Sequence, residues 1–346
     1  MTSSIFSSNP LVRDLVQQKR HVYQLVLKSL LLVALVLAVD RLVDAYLLQG
    51  LRQYYGLDRN VTVACIGHSR TVLGIDDVRL AKELRVPVAK FAVQGAGGAD
   101  RLAMARYLVS QQHATLRLVC LDVSAYTFDD SGLSANSYKL FYPLMDEPEI
   151  ASHIQACQPD SHEWLVRCVL HSARYNEANL GLALRGRWNR RENLKRNRLD
   201  LDDLRRRMQS PNAQQMRVDE RGEHVFEETL DFLTSRQLQV VLVYIPTVDV
   251  LNEVDPVAHD RIRAMLAAAA DARPNVFYLD YNCQYQHQHE LFADGIHMNA
   301  DGQRVVTDRL AKDLLAILTK GSPPVPADTV SWRATGQMPS AMAPDG

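Results

Sequence analysis

Five short apolar runs, each stopped by turn residues, constrain the fold of this chain more than any other feature. They span residues 61–66, 87–93, 116–123, 240–245 and 276–280. Runs of this length, rich in Val, Ile and Leu, are typical of strands buried on both faces. Stretches of helical length separate most of them, so strands and helices alternate along the chain. The sequence therefore predicts a three-layer α/β sandwich around a parallel sheet with right-handed crossovers.

One long segment, residues 127–221, breaks this alternation. It opens with aromatic residues and prolines, continues with helical patterns at 150–157 and 164–182, and then becomes strongly basic at 185–207. We expect it to be an insertion between the third strand and the helix that follows. Three interpretations of the basic stretch stay open: a solvated helical face paired with nearby acids, a site for an anionic polymer, or a contact with membrane headgroups. Under the polymer interpretation the candidate binding residues are Arg205, Arg206 and Arg207.

The amino-terminal segment predicts a membrane anchor. Residues 22–39 are almost wholly apolar, which is near the lower length limit for crossing a bilayer, and basic residues precede them. Positive charge before the span predicts an inside amino terminus and an outside remainder. A buried soluble helix stays an alternative, and so does a cleaved signal peptide, although 39–42 offers no small-x-small cleavage site.

These patterns give an expected domain organisation. It comprises a cytoplasmic segment at 1–21, a signal anchor at 22–39, a connecting helix at 40–59, an α/β domain at 60–320 that contains the insertion, and a disordered tail at 321–346.

Composition narrows the function classes. The net charge is −1 over 346 residues, so general attraction to nucleic acid is not indicated. The five cysteines are scattered without a CxxC pair, although a disulfide between Cys157 and Cys168 stays open. His287 and His289 alternate with Gln and lack a framing cluster of carboxylates, so we expect no metal and no cofactor.

Two short motifs carry candidate chemistry. Gly67-His68-Ser69 ends the first apolar run, and Asp294 and His297 stand three residues apart in a turn near the end of the chain. The carboxyl ends of parallel strands are where open α/β sheets bind their ligands. A serine hydroxyl needs a base within hydrogen-bond reach to become a nucleophile, and the base needs a carboxylate to orient it. We therefore predict that Ser69, His297 and Asp294 converge, although each motif alone also suits an ordinary helix cap.

Together the two motifs resemble the SGNH (GDSL-like) hydrolase superfamily over roughly residues 60–318. The layout is most similar to a membrane-anchored, extracytoplasmic branch that includes alginate O-acetyltransferases and the D-alanyl transfer protein of teichoic acid synthesis. The resemblance implies a flavodoxin-like sheet, with Ser69 as nucleophile, His297 as base and Asp294 as its orienting carboxylate.

The resemblance also implies donors to an oxyanion. These are the backbone N–H of Ser69 and of Gly95, which follows the second strand, with Gly97 and Gly98 as neighbouring alternatives. This chain lacks the family's asparagine after the third strand, so Ser124 or Tyr126 is the candidate substitute. His68 stands where many members have Asp, and we do not assign it as the base, since adjacent residues point apart.

The implied function is serine-dependent O-acyl transfer, with acetyl as the expected group, to a cell-envelope or exported polysaccharide. An esterase or deacetylase uses the same triad, so that alternative stays open. A catalytically silent accessory subunit of a membrane acyltransferase or polysaccharide synthase is the third reading. The implied partners are a polysaccharide or acyl ester, the membrane and a membrane-embedded acyltransferase, with no nucleic acid.

Overall fold

A computed structural model describes residues 10–112, 114–129, 136–157, 161–208 and 216–320. The expected disordered tail at 321–346 lies outside these residues. Residues 1–9 of the expected cytoplasmic segment also lie outside them.

The described residues contain one sheet of five parallel strands. In chain order these are β1 (Val63–Gly67), β2 (Val88–Ala92), β3 (Leu118–Val123), β4 (Gln239–Tyr244) and β5 (Val276–Asp280). The spatial order is β2-β1-β3-β4-β5, which flavodoxin-like sheets share. The predicted parallel α/β sheet is therefore confirmed. The chain order reverses between β1 and β3, and that reversal creates a crevice at the carboxyl ends of these strands.

Thirteen α-helices accompany the sheet in the described residues. They are α1 (Pro10–Tyr55), α2 (Ser69–Gly74), α3 (Asp77–Leu84), α4 (Gly98–Gln112), α5 (Pro148–Cys157), α6 (Ser161–Val169), α7 (Glu177–Arg187), α8 (Leu201–Met208), α9 (Glu220–Ser235), α10 (Asp249–Asn252), α11 (Pro256–Asp271), α12 (Asn282–Tyr285) and α13 (Ala300–Lys320). Short 3₁₀ helices span Ser137–Leu144, His171–Arg174 and His289–Leu291.

The hydrophobic core has two halves, one on each face of the sheet. Successive residues of a strand point to opposite faces, so Ala64 and Ile66 pack with α1, α4, α9 and α11, whereas Val63 and Cys65 pack with α3 and α13. This arrangement gives three layers, helices on both faces of a parallel sheet.

Helix α1 is one continuous helix of 46 residues. It is the one helix of the described part that is long and apolar enough to cross a membrane. From Asp40 onward one side of the helix is buried, and Leu47, Leu51 and Tyr55 belong to the core of the α/β domain. Residues 40–55 therefore pack as part of the α/β domain, whereas the sequence predicts a separate connecting helix at 40–59.

The chain between β3 and α9 corresponds to the expected insertion at 127–221. The helix expected at 164–182 is interrupted, because the carboxylate of Asp40 accepts the backbone N–H groups of His171 (2.7 Å) and Ser172 (2.9 Å) and so starts a separate turn. Cys157 and Cys168 are both free and exposed, so the disulfide between them is not formed.

Candidate active site

The nucleophile candidate sits on a tight turn between β1 and α2. Gly67 ends the strand, and a Cβ at this position would overlap Thr71 Oγ1 and Asp122 Cβ. Only glycine therefore permits α2 to start so close to β3. Ser69 is the first residue of α2 and lies at the reversal point of the sheet.

The base candidate sits in a compact loop between β5 and α13, which we call the base loop (residues 292–299). Its ends are joined by a bridge between Phe292 and Met298, and Ala293 N donates to His297 O at 2.9 Å. The side chain of Asn299 accepts the N–H groups of Asp301 and Gly302, both at 3.0 Å, and thereby caps α13. The backbone of the loop is thus fixed on both sides of His297.

The structure brings Ser69, His297 and Asp294 together from positions more than 220 residues apart. Ser69 Oγ lies 2.9 Å from His297 Nε2. His297 Nδ1 lies 2.9 and 3.0 Å from the two carboxylate oxygens of Asp294. A carboxylate only accepts hydrogen bonds, so Nδ1 carries the proton and Nε2 is left to accept from the serine hydroxyl. The three side chains therefore converge, as expected from the sequence.

Asp294 is held as a carboxylate. Burial alone would raise its pKa, but hydrogen bonds from His297 and Lys195 outweigh that effect, and the pKa of Asp294 lies well below its ordinary value. Oδ1 also accepts the backbone N–H groups of Ile296 (3.1 Å) and His297 (3.0 Å). A carboxylate with this many donors stays ionised throughout the neutral pH range.

Lys195 contacts Asp294 from the insertion. Its Nζ lies 2.8 Å from Asp294 Oδ2. It belongs to an irregular segment, residues 189–200, which we call the strap. The strap follows the base loop closely, because Leu199 N donates to Phe292 O at 3.0 Å and Ala300 N donates to Lys195 O at 2.9 Å. The sequence assigned this segment only to a basic stretch and did not connect it with the site.

Asp122, at the end of β3, stabilises the turn that carries Ser69. Its carboxylate is almost fully buried and accepts from Arg70 Nη2 at 2.9 Å and from Thr71 Oγ1 at 3.0 Å. Both donors belong to α2, the helix that begins with Ser69. Asp122 was assigned no role from the sequence.

His68 is placed away from the role of base. Its Nδ1 accepts the backbone N–H of Arg70 at 3.4 Å, and its Nε2 lies 3.6 Å from Asp122. Burial, reinforced by the positive charges of Arg70 and Arg101, lowers the pKa of His68 to about 3, and only Asp122 opposes the shift. The imidazole is therefore neutral at neutral pH.

The candidate oxyanion donors differ in whether their N–H groups already have a hydrogen-bond acceptor within the protein. The backbone N–H groups of Ser69 and Gly95 donate to no acceptor within the described residues. The Gly95 turn lies against the nucleophile turn, since Val93 N donates to Gly67 O at 3.1 Å, and Gly95 has a left-handed φ of 74°. Gly97 N, in contrast, donates to Asp100 Oδ2 at 2.8 Å, so this alternative is unsuited.

Ser124 is largely committed to the turn that follows β3. Its N–H donates to Thr127 Oγ1 at 2.6 Å and its Oγ accepts from Tyr126 N at 3.0 Å. Only the proton of its hydroxyl is left for an oxyanion. The neighbouring Tyr126 is half-buried, and its backbone N–H is used by Ser124.

The remaining candidate groups are paired with acidic residues outside the triad. Arg205, Arg206 and Arg207 are exposed on α8 and face Asp202 and Asp203 of the same helix. His287 and His289 both bind Asp249, at 2.7 and 2.8 Å. Among the described residues, no group of three or more His, Cys, Asp or Glu side chains is arranged to hold a metal ion.

No protein-family model matches the chain, and no curated protein sequence is similar to it. Among solved structures, a candidate acylhydrolase from Bacteroides fragilis is similar over 73% of this chain and 88% of its own, with 11% sequence identity and a TM-score of 0.38.

Proposed function

We propose that this protein is an extracytoplasmic serine-dependent O-acyltransferase, with acetyl as the expected acyl group and a polysaccharide hydroxyl as the acceptor. The observation that carries the proposal is the chain of contacts from Ser69 Oγ to His297 Nε2 (2.9 Å) and from His297 Nδ1 to Asp294 (2.9 Å). This is the geometry that activates a serine hydroxyl. The site lies at the reversal point of a parallel sheet, where such folds bind their ligands.

The proposed reaction has two steps, acylation of Ser69 and transfer of the acyl group to the acceptor. In the first, Ser69 Oγ attacks the carbonyl carbon of an acyl ester while its proton passes to His297 Nε2. The tetrahedral intermediate then expels the donor alcohol, which takes that proton, and the acyl group stays on Ser69. In the second step His297 removes the proton of an acceptor hydroxyl, whose oxygen attacks the acyl carbon. The bond from that carbon to Ser69 Oγ then breaks, and His297 Nε2 returns the proton to Oγ.

The surrounding groups have defined roles in this scheme. Asp294 fixes the tautomer of His297 and stabilises the imidazolium that forms in each step. The unused N–H groups of Ser69 and Gly95 are the proposed donors to the oxyanion. Ser124 contributes through its hydroxyl if a third donor is needed.

Two features support a transferase outside the cytoplasm. Residues 22–39 of α1 are apolar and exposed, and basic residues precede them, which favours an outward-facing domain. The resemblance to alginate O-acetyltransferases and to the D-alanyl transfer protein motivates a sugar hydroxyl as the acceptor, and a membrane-embedded acyltransferase as the partner that delivers the donor. Arg205, Arg206 and Arg207 are candidates for contacting an anionic polymer.

The competing hypothesis is a catalytically silent accessory subunit. In such a protein we would expect Ser69 to lie out of reach of His297, whereas here Ser69 Oγ lies 2.9 Å from His297 Nε2.

The test is labelling of the purified full chain with a fluorophosphonate probe, followed by turnover of nitrophenyl acetate with and without polysaccharide. We expect the probe to label the native chain and to spare Ser69→Ala. Acyl groups on the sugar, with turnover raised by the acceptor, support a transferase, whereas turnover indifferent to the acceptor identifies an esterase. Equal labelling of the native chain and Ser69→Ala would contradict both.

A further inference from the structure

The environment of α1 changes abruptly at Asp40. Between residues 17 and 39 every apolar side chain except the half-buried Leu37 is exposed, and Leu31 and Val39, for example, are 61% and 50% exposed. Asp40 and Asp44 are instead buried, because the domain begins to pack against the helix here. With residues 22–39 in a bilayer, Asp40 lies at the boundary between hydrocarbon and headgroups.

The part of the domain that meets α1 at this boundary is the end of α6 with the turn that follows it. Arg41 Nη1 donates to Val169 O at 3.2 Å, and Asp40 accepts the N–H groups of His171 and Ser172. His171 Nδ1 also lies 2.7 Å from Asp44 Oδ2. These bonds fix the carboxyl end of α6 at the same height along α1 as the last residue of the apolar segment.

Helix α6 presents an apolar face that nothing in the described part of the chain covers. No residue of α6 is fully buried. Leu165 and Val169 are 63% and 51% exposed, and Val166 and Leu170 are also exposed. Residues at i and i+4 lie on the same side of a helix, so Leu165 and Val169 are neighbours. Leu170 directly follows the helix and stays near Val166, because its N–H donates to Val166 O at 2.8 Å. We call these four residues the α6 apolar face.

The opposite side of α6 is attached to the domain. Arg167 lies over the ring of Tyr142, 4.0 Å from its centroid, and pairs with Glu163 at 2.8 Å, while Trp164 packs against the core. The orientation of α6 is therefore fixed. Other large apolar side chains exposed on the described α/β domain are more scattered, as at Val78, Val257 and Leu315.

We propose that the α6 apolar face is a second membrane contact, which rests on the lipid surface beside the emerging α1 helix. A strip of apolar residues, with cationic Arg41 at its end, suits the interface between acyl chains and headgroups. Continuity with the exposed apolar segment of α1 favours lipid over a protein partner, since the strip begins where that segment ends. The contact would prevent the domain from turning about the axis of its single anchor. This inference is independent of the proposed acyl transfer.

The test is nitroxide labelling of the full chain in vesicles of phosphatidylcholine and phosphatidylglycerol. The exposed Cys157, Cys168 and Cys283 are first changed to Ser, and single labels are then placed by Leu165→Cys or Val169→Cys. Two matched labels serve as references: Leu31→Cys, in the middle of the apolar segment, and Val257→Cys, at the start of α11, which is 79% exposed. Oxygen concentrates in the bilayer, whereas a nickel chelate stays in water.

We expect the ratio of oxygen to nickel collisions at positions 165 and 169 to exceed that at position 257 several-fold and to approach that at position 31. A ratio equal to that at position 257 would overturn the proposal, because the face would then be in water. Low collision rates with both agents would overturn it too, because the face would then be covered by protein. A label at position 31 that lies in water would show that residues 22–39 are not in the bilayer, and the proposal would then be overturned as well.

Discussion

The two halves of the candidate active site are held in place by different parts of the molecule. The nucleophile turn belongs to the sheet: Gly67 ends β1, and the buried carboxylate of Asp122 binds two side chains of α2. The base loop lies outside the sheet and is flanked by the strap, which comes from the insertion. The position of Ser69 therefore depends on the core, whereas the position of His297 also depends on a peripheral segment. Changes to Ser69 and His297 themselves should affect only the rate. Changes to the residues that support Ser69 should mainly lower stability, whereas changes to the residues that support His297 should mainly lower the rate.

The largest effect is expected where the two halves meet. Ser69→Ala and His297→Ala should each lower acyl turnover by roughly 10⁴- to 10⁶-fold, and the double variant should lose little more, because the triad acts as a unit. Both variants should unfold at the same denaturant concentration as the native chain. Additive losses in kcat/KM would show that the two residues do not act on one proton.

Asp294→Asn should cost less, on the order of 10³- to 10⁴-fold in kcat, since the imidazole loses the carboxylate that fixes its tautomer. Kinetics with nitrophenyl acetate measure this. The Asn side chain can still accept the backbone N–H groups of Ile296 and His297, so the loop should keep its fold. A variant as active as the native chain would exclude Asp294 as the orienting group.

Asp122→Asn tests the nucleophile half. It removes the charge that compensates the buried guanidinium of Arg70, and breaking such a buried pair costs on the order of 3–5 kcal/mol of unfolding free energy. Asp202→Asn on the exposed face of α8 is the matched control and should change stability by less than about 0.5 kcal/mol. Denaturant unfolding in detergent micelles compares them. Equal stability of the two variants would mean that Asp122 does not anchor the turn.

His68 should make the nucleophile half sensitive to acid. Its pKa is lowered to about 3 by burial, whereas the unfolded chain takes up the proton near pH 6.5. Between these values only the unfolded state is protonated, so unfolding free energy falls as the pH falls, by up to about 1.4 kcal/mol per pH unit. His68→Gln should flatten this slope, as measured by denaturant midpoints between pH 6.5 and 4. An unchanged slope would show that other groups cause the acid sensitivity.

Lys195→Met should have the smallest effect. It removes one of the donors that keep the pKa of Asp294 low, but Asp294 stays ionised at neutral pH through its remaining hydrogen bonds. We expect a loss of roughly tenfold or less in kcat with little change in stability, because exposed ion pairs contribute about 0–1 kcal/mol. Arg196→Met, the exposed neighbour in the strap, is the control and should leave kcat unchanged.

The sequence predicted the strands of the sheet well. The last strand, at 276–280, has the predicted bounds, and β1 begins two residues later than expected, at Val63. Apolar runs identify buried strands because helices cover both faces of the sheet, so most strand positions face an apolar core. The Gly67-x-Ser69 turn and the Asp294-x-x-His297 turn could be located for the same reason, since both follow such runs.

The strap could not be predicted in this way. Residues 189–200 have no helical or alternating pattern, and Lys195 meets Asp294 across 99 positions of chain. A lysine among many arginines gives no local signal that it will face a carboxylate. Asp122 was overlooked for another reason: within an apolar strand an acidic residue is informative only when its buried partners, Arg70 and Thr71, are known.

The continuity of α1 limits how far the α/β domain can move relative to the apolar segment. A flexible tether would allow the domain to search a hemisphere of space around its attachment point. Here one helix, about 69 Å long at 1.5 Å per residue, passes from the apolar segment directly into the core without a break. Under the anchoring proposed above, a domain joined rigidly to its membrane helix holds Ser69 at a constant height above the lipid. An acceptor of the proposed acyl transfer would then have to reach that height, because the domain could not move far to find it.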